Sequence, residues 1–393
     1  MRICIDGRLI NESGIGRYIR NLLQNLALLD KENSYFILLK KNDLTRFNWG
    51  ENFTNIEADF GWYSATEQIK LPQILKKLNL DLTHFPHFNV PILYKGKFIV
   101  TIHDLIHQHF AMKRATTLDP LTYKIKQFGY RKVFDYAVKE SQKIIVPSES
   151  VKSQLNNEWD IESGKIQVTH EGVDEKILTI KRKQSKNLQL KILEKINVKK
   201  PYIFYVGNAH PHKNVEGLIK AFRTIKSTKG IAGNDEKAFD ASGTLGTFDT
   251  LSLVLAGGDH YFWKKVKAEF NDPDIIYPGY VTDDSLVTLF SNAEMFVMPS
   301  FEEGFGIPVL ESFANGCPVV CSDIGALKEV GGDAALYFDP KSTDDISKKM
   351  TDLLTNSKLK NKLIEKGTKR VADFSWKKLT QQTLKIYESQ LIA

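Results

Sequence analysis

Ten short apolar runs punctuate the chain, at 2–6, 35–39, 81–84, 98–102, 143–146, 202–207, 251–257, 294–298, 318–321 and 335–338. Runs this short, apolar on successive residues, fit strands covered on both faces, as in a parallel sheet. The stretches between them carry helical spacing, for example at 18–29, 283–292 and 375–391. Strands alternating with helices predict doubly wound parallel sheets, and 393 residues suffice for two such Rossmann-like domains. We place the first domain at 1–180 and the second at 201–375. The segment 181–200 is read as a linker with a solvated basic helix, because nine Lys or Arg stand against one Glu over 176–200. The stretch 227–250, with four glycines and no apolar period, reads as a loop insertion.

One segment concentrates the chemistry: S-F-E-E-G-F-G-I-P-V-L-E-S-F-A-N-G-C-P-V-V-C at 300–321. Gly304 and Gly306 permit a tight turn after the strand at 294–298. Pro308 suits the first turn of a helix over 309–315, and Gly316 suits its end. The start of such a helix offers backbone N–H groups and a positive dipole end to an anion. Glu303 and Glu311 bracket the turn, and carboxylates repel phosphate, so hydroxyls are their natural partners. Amides for phosphate beside carboxylates for hydroxyls describe a site for a sugar nucleotide.

The run F-E-E-G-F-G-I-P-V-L-E resembles the signature of the retaining glycosyltransferases of family four, which have two Rossmann-like domains facing a cleft, the GT-B fold. The resemblance extends over nearly the whole chain apart from the insertion. D-L-T-H-F-P-H-F-N-V-P at 81–91 and V-T-I-H-D-L at 100–105 resemble the mannosyltransferases of that family. It implies that Glu311 holds ribose hydroxyls, that Glu303 holds sugar hydroxyls, and that His103 reaches the sugar from the first domain. It places the backbone of Phe305, Gly306, Ile307, Val309 and Leu310 at the diphosphate, and Tyr280 and Val281 beside the base. The loop N-E-S-G-I-G-R would lie under the donor phosphates through Gly14, Gly16 and Arg17. In N-A-H-P-H-K-N, Lys213 matches the family's diphosphate lysine, whereas Asn208 stands where many members carry arginine and His212 offers a substitute cation. The terminal helix, 376–393, is implied to cross back onto the first domain. His103, Lys213 and Glu303 are the expected catalytic residues, with GDP-mannose as donor and a saccharide or lipid-linked saccharide as acceptor.

Composition narrows the alternatives. The chain is 42% hydrophobic and 26% charged, with a net charge of +7 and no zinc-finger, RNP or helix-turn-helix pattern, which speaks against nucleic acid. No run reaches the length of a membrane span, and the N-terminus enters a strand directly, so a cytoplasmic protein is expected. The stretch 113–139 is rich in Lys, Arg and aromatics; it could dock on anionic lipid, or be a core-packed helix with a solvated basic face. Cys4, Cys317 and Cys321 lack metal-ligand spacing and read as core residues.

His103, His107 and His109 invite a metal reading, but the glutamate of H-E-x-x-H is missing. A core histidine is the plain alternative for His103. The D-x-D at Asp272–Asp274 reads as a turn, so no metal and no cofactor beyond the donor is expected. A sugar-nucleotide epimerase or hydrolase, or a transferase using a UDP-sugar, is the rival function; a non-catalytic sugar-nucleotide binder is the third.

Overall fold

The computed structural model describes residues 1–109, 120–227 and 248–390. The chain divides into two compact units. Unit 1 comprises Met1–Glu171 with the segment that returns at Ser375, and unit 2 comprises Gly172–Phe374.

Unit 1 holds seven parallel strands: β1 (Arg2–Asp6), β2 (Ser34–Leu39), β3 (Phe53–Glu57), β4 (Leu82–Phe85), β5 (Phe98–Thr101), β6 (Ile144–Val146) and β7 (Ile166–Val168). Their spatial order is β3-β2-β1-β4-β5-β6-β7. Unit 2 holds six: β8 (Tyr202–Val206), β9 (Ser252–Ala256), β10 (Ile275–Gly279), β11 (Met295–Met298), β12 (Val319–Ser322) and β13 (Ala335–Phe338), also all parallel. They run β10-β9-β8-β11-β12-β13. In each sheet the chain steps outward from its first strand, then returns to that strand's other side. This reversal opens a crevice at the carboxyl ends of β1 and β4 in one unit, and of β8 and β11 in the other, where ligands of such sheets bind.

The continuous apolar runs have a direct cause in unit 2. Tyr202, Phe204, Val254, Phe296 and Val319 enter one core, and their neighbours Ile203, Tyr205, Leu253, Val297 and Val320 enter a second. Alternate side chains leave opposite faces, and helices cover both, so no polar face remains. The strands outside the ten apolar runs are β3, β7 and β10. All three stand at sheet edges, where burial on both faces is not required. Cys317 and Cys321 lie in the first of these cores, and burial pushes the Cys317 thiol up to about 12.

Two readings of the sequence change. The first helix is Gly14–Leu29, four residues longer than the apolar spacing indicated, so the glycine stretch forms its opening turn. A Cβ on Gly16 would lie 2.5 Å from the carbonyl oxygen of Ile10, so only glycine lets the helix start pack on the preceding turn. The segment 181–200 is no free linker. Helices Glu175–Lys183 and Lys186–Lys195 belong to unit 2 and send Ile177 and Leu193 into its core. Most of their cations lie on the outside, which is what made the segment look like a solvated tether, while Lys181 turns in to Ser291 and the Asn315 carbonyl.

Most of the predicted insertion, 228–247, lies outside the described residues. So does 110–119, which includes the start of the basic stretch. From Pro120 to Glu140 that stretch is helical, with Phe134 buried and Phe128 exposed. Among the described residues no helix is long and apolar enough to cross a membrane.

Candidate active site

In unit 2 the loops after β8 and β11 meet at the switch point. The Phe301 amide donates to the His212 carbonyl at 2.7 Å. Asn214, in the left-handed region at φ 53°, donates from its side chain to the carbonyls of Pro299 and Pro340. This stitching brings Lys213 against Glu303, with Nζ 2.7 and 2.8 Å from the two carboxylate oxygens. The side chains are 20% and 8% exposed. Beyond Glu303 the chain turns at Gly306, φ 111°, into the helix Ile307–Ala314. A Cβ there would also lie 2.7 Å from Leu327 Cδ2, so the turn requires glycine twice over. Pro308 occupies the first helical turn and Glu311 is buried in the second. The Val309 amide donates within the helix to the Gly306 carbonyl at 2.9 Å, and the Val309 and Leu310 side chains are core residues.

The loops after β8 and β9 bring three imidazoles together. The rings of His210 and His212 stack at 5.7 Å, His260 lies 6.2 Å from His210, and His260 Nε2 is 2.9 Å from Asn208 Oδ1. Asn208 thus meets the His260 imidazole, and the sequence reading had singled out only His212 of the three histidines.

At the carboxyl edge of unit 1, His103 follows β5. Its Nε2 lies 3.0 Å from the Pro86 carbonyl, its Nδ1 3.5 Å from Glu171 Oε1, and its ring meets Tyr18 edge-on at 4.9 Å. Below it, His84 Nδ1 pairs with Tyr387 Oη at 2.7 Å and Nε2 with Thr101 Oγ1 at 2.8 Å. Tyr387 comes from the helix Trp376–Ser389, which returns to this unit. Burial, and secondarily the nearby His103, pull the His84 pKa down from 6.5 to about 3. At the β1–β4 switch point Arg8 pairs with Asp6 at 2.6 Å and with Glu67 at 2.7 Å. Asn89 donates to both Glu67 oxygens.

Comparison with known proteins places this geometry. The family described as glycosyl transferases group 1 matches residues 189–370, and glycosyltransferase family 4 matches 13–176. O-antigen chain mannosyltransferase B of Escherichia coli is 34% identical over 191 residues, 48% of this chain and 45% of that protein. O-antigen chain mannosyltransferase RfbU of Salmonella typhimurium is 25% identical over 283 residues, 71% of this chain and 66% of that one. The matches thus span under two thirds of either relative's length. The crystal structure of WaaG, a glycosyltransferase involved in lipopolysaccharide biosynthesis, superposes with a TM-score of 0.70 over 98% of this chain and 99% of that one, at 14% identity. The chain has the architecture of a GT-B glycosyltransferase.

Within this GT-B chain the predicted site residues fall into separate groups. Lys213, Glu303, Gly306, Ile307 and Glu311 share the β8–β11 crevice, with Asn208 and His212 beside it. Tyr280, 83% exposed, and Val281 follow the edge strand β10, two strands away from β8. Gly14, Gly16, Arg17 and His103 belong to unit 1.

The D-x-D carboxylates are held by neighbouring cations: Asp272 by Arg223 at 2.8 Å and Asp274 by Lys226 at 2.9 Å. His109 pairs with Glu158 at 2.7 Å, a different partner from that of His103. The His107 side chain lies outside the described residues. Among those described, no group of three or more His, Cys, Asp or Glu is arranged to hold a metal ion. Glu171 and the Asp6–Arg8–Glu67–Asn89 network were not singled out by sequence reasoning. Position at a strand's carboxyl end was the available signal, and β7 is too short to announce itself.

Proposed function

We propose that this chain is a retaining, metal-independent hexosyltransferase that moves mannose from GDP-mannose onto a saccharide or lipid-linked saccharide during surface polysaccharide synthesis. The observation that carries the reading is the Lys213–Glu303 pair at the β8–β11 crevice, next to a glycine-capped helix start. The mannosyltransferase relatives support the sugar. The work would take place in the cytoplasm, with peripheral membrane contact through 113–139 as part of the same proposal.

Lys213 and the helix start at Gly306–Ile307 stabilise the diphosphate as its charge grows, and such preorganised electrostatics usually lowers a barrier more than any other single effect. His212 and Asn208 extend that cradle, and Gly14, Gly16 and Arg17 are the residues of unit 1 assigned to donor phosphate. Glu303 keeps the ammonium placed, and an incoming diphosphate competes with the carboxylate for it. Glu311 holds the ribose, Tyr280 and Val281 flank the base, and Glu303 and His103 hold sugar hydroxyls. The acceptor oxygen attacks the anomeric carbon from the side on which the diphosphate leaves. The carbon–phosphate-oxygen bond breaks, the new glycosidic bond forms on the same face, and the acceptor's proton passes to the departing diphosphate.

Incubation with labelled GDP-mannose and, separately, UDP-hexoses, in the presence of a mannose-terminated acceptor, tests this. The expected product is an α-mannoside, read from its anomeric NMR signals. A β-mannoside would reject retention, and isomerised sugar nucleotide would favour an epimerase. Binding without turnover of any donor would reject the enzyme.

A further inference from the structure

Glu171 ends the first segment of unit 1, Met1–Glu171, three residues beyond β7 at the carboxyl edge of the sheet. Its side chain is 7% exposed, yet among the described residues it makes no hydrogen bond; its one close partner is His103 Nδ1 at 3.5 Å, longer than a good hydrogen bond. A mostly buried carboxylate is normally matched by donors, and the small part of Glu171 that stays exposed is open to one from outside the protein. A neutral His103 does not fill that need. The Pro86 carbonyl can only accept, so the facing Nε2 of His103 carries the proton, and Nδ1 of the neutral ring is itself an acceptor. Tyr18 cannot fill it either, because its hydroxyl is already engaged with Thr101 Oγ1 at 3.2 Å.

With the ring neutral, two acceptors stand side by side, the Glu171 carboxyl and Nδ1 of a ring braced by Pro86 and Tyr18. Two hydroxyls on adjacent carbons of a sugar stand about one hydrogen-bond length apart, and each has one proton to donate. We propose that Glu171 is a substrate-contact residue, which together with His103 Nδ1 receives a vicinal hydroxyl pair of a hexose. The inference rests on the glycosyltransferase reading of the site. The hexose is either the transferred sugar or the acceptor's terminal residue, since both present the same diol chemistry.

The test couples protein variants to deoxy sugars. Wild type, Glu171→Ala and Glu171→Gln are assayed with GDP-mannose and with its 2-, 3-, 4- and 6-deoxy analogues. A parallel arm uses methyl α-mannoside acceptors lacking the same hydroxyls one at a time. Thermal melting confirms that each variant is folded, and Glu171→Gln preserves the volume if Glu171→Ala does not fold. The expected result is a loss of kcat/KM of ten-fold or more in the variant with the complete sugar, which shrinks to within two-fold when one particular hydroxyl is absent. The arm in which the loss vanishes identifies the sugar as donor or acceptor. A loss of equal size with every analogue in both arms would make Glu171 merely structural and overturn the inference, as would a folded variant of unchanged kcat/KM. Failure of the wild type to transfer from any nucleotide sugar would instead reject the underlying function.

Discussion

Lys213 Nζ is held by both carboxylate oxygens of Glu303, at 2.7 and 2.8 Å, across 90 residues of sequence. The pair is mostly buried but not sealed, so the two residues stabilise each other and the lysine remains reachable. Lys213→Ala leaves the Glu303 carboxylate, 8% exposed, without its cation. The expected destabilisation is roughly 1–3 kcal/mol. Adding Glu303→Gln to Lys213→Ala should restore most of it, because no uncompensated charge remains. Urea denaturation of the two singles and the double variant checks this. Additive losses would mean that the two residues act independently.

The same lysine should show in kinetics. Diphosphate charge grows as the glycosidic bond breaks, so the lysine's interaction strengthens toward the transition state. In Lys213→Ala, kcat is expected to fall more than KM for the donor rises. A pure KM effect would assign the lysine to ground-state binding alone.

Glu311 is buried in the helix that Gly306 starts. A ribose contact is made equally before and during reaction, so its loss appears in binding. Glu311→Gln should weaken nucleotide binding by roughly 1.5–3 kcal/mol, the usual worth of a charged hydrogen bond. Calorimetric titration with GDP measures it directly. An unchanged Kd would remove Glu311 from the nucleotide's surroundings.

What was legible in advance follows from how local each feature is. The stretch 295–322 holds a strand, turn glycines, a helix and the next strand within twenty-eight residues, so its form could be read directly from the sequence. The sheets were legible where strands are buried on both faces, as in β8 and β9. They were illegible at three of the four edges, β3, β7 and β10, where for example β3 carries Thr54, Asn55 and Glu57, whereas the edge strand β13 was legible. The Lys213–Glu303 pair could not be read as a pair, because only the adjacency of β8 and β11 brings its halves together. Glu171 was hidden for the same reason, since its meaning depends on His103, two strands away.

Transfer is expected to persist in excess EDTA. Asp272 and Asp274, the one carboxylate pair with D-x-D spacing, are occupied by Arg223 and Lys226. Asp274→Ala removes an exposed carboxylate and leaves Lys226 its bonds to the Asp249 and Leu251 carbonyls, so it should cost about 1 kcal/mol of stability and leave activity within two-fold. Complete loss of transfer in EDTA, restored by Mg2+ or Mn2+, would show that a metal does the work assigned here to Lys213 and the helix start.

His84 makes an acid-sensitive joint between β4 and the returning helix Trp376–Ser389. Its folded pKa is pulled from 6.5 to about 3, chiefly by burial. A histidine whose folded pKa is depressed takes up its proton more readily when unfolded. Its contribution to stability is therefore fully present above pH 6.5 and is lost progressively as the pH falls toward 3. Between pH 8 and pH 5 that loss amounts to roughly 2 kcal/mol. Glutamine at this position offers one donor and one acceptor toward Tyr387 and Thr101 but does not titrate. His84→Gln should thus be less stable than wild type at pH 8, yet lose about 2 kcal/mol less on going to pH 5. Urea midpoints followed at both pH values, with a probe of unit 1 such as hydrogen exchange in β4, measure the difference. Parallel pH dependences in the two proteins would mean that His84 is not the group whose protonation opens this joint.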